Sequence, residues 1–205
     1  EEYQAALAKA ESNAVNSQWR NKCIDSTYEP GSTFKPLTLA AVLEDNVVSM
    51  NTTFNCTGSI MVPGWYKPIK CARAGGHGLQ TLKEATGNSC NPAFITMGLK
   101  IGTDRYYDYL EAFGLMEPTG VDMVGEVSGI FASRENFNTN VVSLASYAFG
   151  QTFNVTPLQL IRAQAACING GYLYTPYVVE QVLDGTVKDA KTVAAVLRAK
   201  VLLDL

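Results

Sequence analysis

Tyr28-Glu29-Pro30-Gly31-Ser32-Thr33-Phe34-Lys35-Pro36 stands directly before an apolar run over 37–43. Pro30 and Gly31 stop the preceding segment, and Ser32 falls at or near a helix N-cap. Pro36 falls in the first turn, where a missing N–H costs little. The stretch therefore predicts a buried helix from Ser32 to about Asp45. Ser32 and Lys35 are three apart and share one face of that helix. A serine hydroxyl becomes a good nucleophile when a base takes its proton, and a lysine is such a base once burial or a nearby cation lowers its pKa. The helix N-terminus also favours negative charge developing at Ser32. A capped core helix with an incidental lysine is the bland reading, and for the motif alone it is the commoner one.

Working outward, the chain has 205 residues, 47% hydrophobic and 17% charged, which suits one globular domain, or most of one, with an ample core. A net charge of -3 gives no electrostatic case for nucleic acid or an anionic membrane surface. No apolar run is long enough to span a bilayer, and residues 1–9 do not form a signal peptide, so an anchor or export signal, if the full protein has one, is expected outside this chain. The five cysteines, Cys23, Cys56, Cys71, Cys90 and Cys167, are an odd count and not a small disulfide framework.

Residues 2–13 read as a surface helix and 17–27 as a loop feeding the Ser32 turn. The segment 51–78 is glycine-rich, with short apolar runs only, and predicts a long loop or short hairpins; such a loop is usually functional or pinned by something. Helices are predicted over 81–85, 93–100, 104–113 and 141–149. Another starts at Thr156-Pro157, a Thr cap followed by Pro at the first helical position. Residues 172–183 read as a strand, Asp184-Gly185 as a turn and 188–202 as a helix. Tyr106, Tyr107, Tyr109 and Phe113 could make a sugar platform, but their helical spacing favours core packing. Asp122 and Glu126 could be a carboxylate pair, but their glycine neighbours favour turn and cap roles.

A second triplet, Ser89-Cys90-Asn91, lies between two helices at a break made by Gly87 and Asn88. Such a break can aim Ser89 and Asn91 into a cleft; the bland reading is helix capping by the same residues. Cys56, Cys71 and His77 fall in or beside the glycine-rich stretch, and Cys plus His is the zinc palette. The fourth ligand is Cys90, Cys23 or Asp25. A Cys56–Cys71 disulfide and simple free thiols are the other two readings. Cys167 lies on an apolar helix face and reads as core.

The motifs occur in a fixed order: Y-E-P-G-S-T-F-K-P (28–36), S-C-N-P-A-F (89–94), T-G-V-D-M-V-G-E-V-S-G (119–129), A-F-G-Q-T-F-N-V-T-P-L-Q-L (148–160) and N-G-G-Y-L-Y-T-P-Y (169–177). Together they resemble the transpeptidase domain of class B penicillin-binding proteins, nearest to the division and sporulation branch of spore-forming Gram-positive bacteria. The resemblance covers about 19–183. It implies the α/β (α+β) fold shared with serine beta-lactamases, here mostly its helical subdomain with the central antiparallel sheet incomplete. It implies Ser32 as acylated nucleophile, Lys35 as general base, Ser89 as proton relay and Asn91 as binder of the substrate's peptide carbonyl. It implies D,D-transpeptidation of peptidoglycan stem peptides at D-Ala–D-Ala, trapping by beta-lactams, and a place outside the cytoplasmic membrane among wall-synthesis membrane proteins of division or sporulation. The chemistry needs no cofactor, but the resemblance implies that some clostridial relatives of the family carry a structural zinc near the active site, which favours zinc at Cys56, Cys71 and His77.

The family's third motif, K-[ST]-G, has no match: Lys191-Thr192 is followed by Val193 and comes too early. Residues 1–205 are thus expected to be a partial transpeptidase domain, with 51–78 as a metal-pinned insertion. A D,D-carboxypeptidase or beta-lactam-sensing relative is the other enzymatic reading. A catalytically silent scaffold for division or sporulation partners is the reading from another class.

Overall fold

The computed structural model describes residues 2–178 and the backbone of 182–183 and 186–187. Helix α1 (Glu2–Gln18) buries none of its residues. A short α2 (Lys22–Asp25) interrupts the loop expected at 17–27, started by Asn21, whose side chain accepts from the Cys23 N–H. The Ser32 stretch then forms a 3-10 turn, Gly31–Phe34, that runs into α3 (Lys35–Glu44). Ser32 is therefore not a cap. No side chain caps this turn, and the Thr33 hydroxyl donates instead to the Pro30 carbonyl at 2.6 Å.

The glycine-rich segment is two nested hairpins. Strand β1 (Thr53–Cys56) pairs antiparallel with β4 (Gly78–Thr81), and between them β2 (Ser59–Ile60) pairs with β3 (Ile69–Lys70). Burial on β1 alternates, with Phe54 and Cys56 facing inward, as a half-buried strand requires. Thr81 and Glu84 form a capping box that starts α4 (Leu82–Gly87).

Helix α5 (Asn91–Ile101) is the centre of the molecule. Seven of its eleven residues are buried, and it packs on α3, on α6 (Thr103–Ala112) and on α8 (Val141–Tyr147). Its buried Ala93, Phe94, Ile95 and Met97 fill the space between these neighbours. Helix α7 (Arg134–Asn138) is tied to α6 by Arg134, which reaches Asp104, Asp108 and Glu111. A second capping box, Thr156 with Gln159, starts α9 (Pro157–Ala166). The Gln159 amide then donates to the carbonyls of Leu115 and Glu117 at 2.8 and 2.7 Å, so a buried polar side chain is fully used.

Tyr106 and Tyr107 are buried against Phe137, so the tyrosine cluster of α6 is core and not a sugar platform. Glu126 accepts from the Thr119 N–H and hydroxyl and from the Gly120 N–H and so closes a local turn, while Asp122 accepts from the distant Val178 N–H. The strand expected over 172–183 is not formed over 172–178; among the described residues of that span, β5 (Val182–Leu183), paired with β6 (Thr186–Val187), is strand. The turn at Asp184-Gly185, the helix at 188–202 and Lys191-Thr192 lie outside the described residues. Among the described residues the strands make three two-stranded ribbons, so the observed architecture is helical with small β elements.

Candidate active site and metal cluster

Lys35 opens α3 and is only 4% exposed. An ammonium group has three donors, and three acceptors surround this one. Nζ donates to the Ser89 carbonyl at 2.7 Å, to Ser89 Oγ at 2.8 Å and to Asn91 Oδ1 at 2.7 Å. The ring of Phe94 lies 5.2 Å from Nζ. None of these partners carries a formal charge. Burial therefore dominates and brings the Lys35 pKa down to about 8, against an upward pull from the Cys90 and Cys71 sulfurs. A lysine poised there is in its neutral, base-competent form near neutral pH far more often than an exposed one.

The second triplet is delivered to Lys35 by an unusual backbone. Ser89 has φ +49, a conformation that costs a non-glycine residue about 1–3 kcal/mol. It turns both the carbonyl and the hydroxyl of Ser89 toward the same ammonium group. Cys90 is the N-cap of α5 and makes no side-chain capping bond, and a proline follows in the first turn. Ser89 and Asn91 are thus not used as caps. Asn91 spends its oxygen on Lys35 and its Nδ2 on the Lys70 carbonyl at 3.3 Å.

Ser32 sits exposed in the 3-10 turn. Side chains three apart in such a turn eclipse, so Ser32 stands one turn before Lys35 on the same side. The turn is braced from behind by the 148–160 segment. The Gly31 N–H donates to the Gly150 carbonyl at 2.7 Å, and Tyr28 and Val155 exchange both backbone hydrogen bonds at 3.0 Å. The Thr152 N–H donates to Glu29 Oε1 at 2.9 Å, and Gln164 Nε2 donates to the Thr33 carbonyl. Gly150 has φ +85, and a Cβ there would lie 1.9 Å from the Gly31 carbonyl oxygen. Residue chemistry gave no role to Glu29, Gly150, Thr152 or Gln164, although the first three lie within the ordered motifs of 28–36 and 148–160.

Cys56, Cys71, His77 and Cys90 come together, with their donor atoms all within 4.8 Å of one another. Cys23 is exposed and outside this group, and the Asp25 carboxylate is taken by Arg20 and Ser26. The fourth position is therefore Cys90, the middle residue of the second triplet. Gly76 makes the approach possible: its φ is +73, and a Cβ there would lie 2.1 Å from the Cys56 carbonyl oxygen. All five cysteines are free, so the Cys56–Cys71 disulfide is not formed. Cys71 Sγ stands 3.6 Å from His77 Nδ1. Burial works to raise the Cys56 thiol, but hydrogen bonds from the Gly58 backbone and from His77 outweigh it and lower its pKa; Cys90 is raised, chiefly by burial. Three buried sulfurs and one half-buried imidazole nitrogen converge and match the Cys3His donor set of structural zinc sites.

Comparison with known proteins gives this geometry a family. Residues 2–202 match the model for the penicillin binding protein transpeptidase domain. The chain belongs to that family. This transpeptidase domain is 43% identical over 170 residues to stage V sporulation protein D of Bacillus subtilis, covering 82% of this chain and 26% of that protein. It is 29% identical over 166 residues to the peptidoglycan D,D-transpeptidase MrdA of Acinetobacter baumannii, covering 78% of this chain and 25% of the relative. Among solved structures, penicillin binding protein 3 of Mycobacterium tuberculosis, complexed with aztreonam, superposes with a TM-score of 0.69 at 30% identity, covering 77% of this chain and 34% of that one. The transpeptidase domain thus spans about a quarter of the length of the curated relatives it matches. No helix among its described residues is long and apolar enough to cross a membrane.

Proposed function

We propose that this domain carries the nucleophile and the proton relay of a peptidoglycan D,D-transpeptidase. The observation that carries the reading is the single ammonium group, Lys35 Nζ, bonded to Ser89 and Asn91 and one turn from Ser32. In the neutral form Lys35 gives up one donor and gains a lone pair. That lone pair takes the Ser32 proton as Oγ attacks the carbonyl carbon of the D-Ala–D-Ala bond. The C–N bond breaks, and the departing D-Ala amine receives its proton from Lys35 through the Ser89 hydroxyl, which both donates and accepts. An amine of a neighbouring stem peptide then attacks the acyl-Ser32 ester and loses its proton along the same path, which frees Ser32 and forms the crosslink. Asn91 orients the stem peptide through its amide. Beta-lactams, which present the same acyl group in a ring, leave a penicilloyl ester on Ser32.

Cys56, Cys71, His77 and Cys90 hold a zinc ion in this reading. The metal supplies a structural link and no catalytic step. It ties the nested hairpins to Cys90 and so fixes Ser89 and Asn91 against Lys35. The protein works on the outer face of the cytoplasmic membrane with other wall-synthesis proteins. A solved penicillin-binding protein 2 from Helicobacter pylori, 27% identical, is in complex with MreC, which supports a partnered setting of this kind.

Intact-mass analysis of the whole protein after incubation with benzylpenicillin tests the reading beside a Ser32→Ala control. A stoichiometric adduct in the wild type that vanishes in the control is the expected result. A folded wild-type protein that takes no adduct overturns the catalytic reading and leaves a scaffold.

A further inference from the structure

We propose that Gln80 is a positioning residue whose side-chain amide clamps Asn88 and Cys90, the two residues that flank the strained Ser89. The proposal rests on the reading that Cys90 is a zinc ligand. Gln80 lies on β4, where its neighbours Leu79 and Thr81 are exposed while Gln80 itself is 2% exposed. An amide buried in that way is costly unless both ends are bonded. One end is bonded: Gln80 Oε1 accepts from Asn88 Nδ2 at 2.9 Å. With Oε1 taken by Asn88, Nε2 is the free end of the Gln80 amide.

Nε2 is buried and has no hydrogen-bond partner, one of two such side-chain atoms among the described residues. It stands beside the Cys90 sulfur. A neutral thiol is a weak acceptor. A metal-bound thiolate is a much better one, and ligands of metals are routinely held by such outer donors. The orphaned donor is therefore satisfied when Cys90 is bound to metal. Strand register explains why the donor is there. Phe54 pairs with Gln80 and Cys56 pairs with Gly78, so Gln80 and Cys56 lie diagonally on the same inward face of the β1–β4 ribbon. One ribbon thus brings a ligand and the amide that steadies another ligand. Because the amide grips residues 88 and 90 together, it also holds the φ of +49 at Ser89, on which two of the three Lys35 bonds depend.

The experiment is a zinc competition titration of the intact protein, wild type against Gln80→Met, with the cobalt-substituted forms examined for their thiolate-to-cobalt charge-transfer band. Methionine keeps the length and apolar bulk and removes the donor. Zinc binding is expected to weaken about tenfold to a hundredfold, the size usual for loss of an outer-shell partner, and the charge-transfer band is expected to shift because one sulfur loses its hydrogen bond. A change in packing alone would not move that band. Wild-type and variant affinities that agree, with an unshifted band, overturn the proposal and leave the zinc reading standing. A wild type that binds neither zinc nor cobalt overturns the zinc reading and this proposal with it. Where Gln80→Met does not fold, Asn88→Ala serves: it leaves Gln80 in place and frees its anchored end. A smaller loss of zinc affinity with a shifted band supports the clamp, and no change in either overturns it.

Discussion

Replacing Gly150 by alanine puts a methyl carbon where the Gly31 carbonyl oxygen already lies. The separation would be 1.9 Å, while ordinary contact begins near 3.4 Å, so the two backbones must part by about 1.5 Å. Gly31 is the residue before Ser32, and the Gly31 N–H to Gly150 carbonyl bond at 2.7 Å would be lost in the same movement. Two costs are mixed in this variant. The backbone at φ +85 strains any alanine, by about 1–2 kcal/mol. The displaced nucleophile turn is the second cost, and a misplacement of roughly 1 Å can lower a rate about a hundredfold. Gly125→Ala separates them, since its φ is +89 and a Cβ there meets nothing within 4 Å. Both variants of the intact protein should melt lower than the wild type. In a stopped reaction with a fluorescent penicillin, Gly150→Ala should acylate about a hundredfold more slowly and Gly125→Ala at close to the wild-type rate. Acylation by a folded Gly150→Ala within about threefold of wild type would refute the argument that the 148–160 segment positions Ser32.

The Lys35 pKa of about 8 makes acylation pH-dependent: the rate should rise with pH and level off above that value as the amine becomes neutral, and a profile flat from about pH 7 to 9 excludes Lys35 as the base. The sign for stability follows from the same shift. The folded pKa lies below the ordinary lysine value, so the unfolded chain binds more protons between the two, and the share of stability lost by burying Lys35 is regained as pH rises through that window. Cys71→Ser and His77→Ala should each lower the zinc content of the purified protein and speed amide exchange in β1 and β4. Zinc retained at the wild-type level by both variants counts against the cluster as a metal site.

Much of the local structure was legible because its causes are local. Thr81 with Glu84 and Thr156 with Gln159 start helices through bonds that reach three residues, and a reader of the sequence sees both partners. The Ser32–Lys35 spacing was legible in the sequence, though the geometry of the turn that carries it was not. A Gly-Ser pair after proline reads as a cap, yet the chain tightens into a 3-10 turn because Gly31 and Gly150 are bonded across the fold. The strand expected over 172–183 is not formed over 172–178 for a related reason. Residue preference shows that a segment could pair, but a strand forms only where a partner edge is offered, and among the described residues none meets 172–178.

By itself, the sequence determined which residue types were present to do chemistry and in what order: a serine and lysine one turn apart, a Ser-Cys-Asn triplet, and Cys and His in a glycine-rich stretch. Tertiary structure decided which of them meet. Lys35 bonds to Ser89 and Asn91 across more than fifty residues, and Cys90 joins Cys56, Cys71 and His77 while Cys23 does not. Gln80 and Gly150 took on meaning only there. The physical reason is that a long-range contact is set by the packing of whole elements, here α5 against α3 and the β1–β4 ribbon. No single residue's preference records that packing.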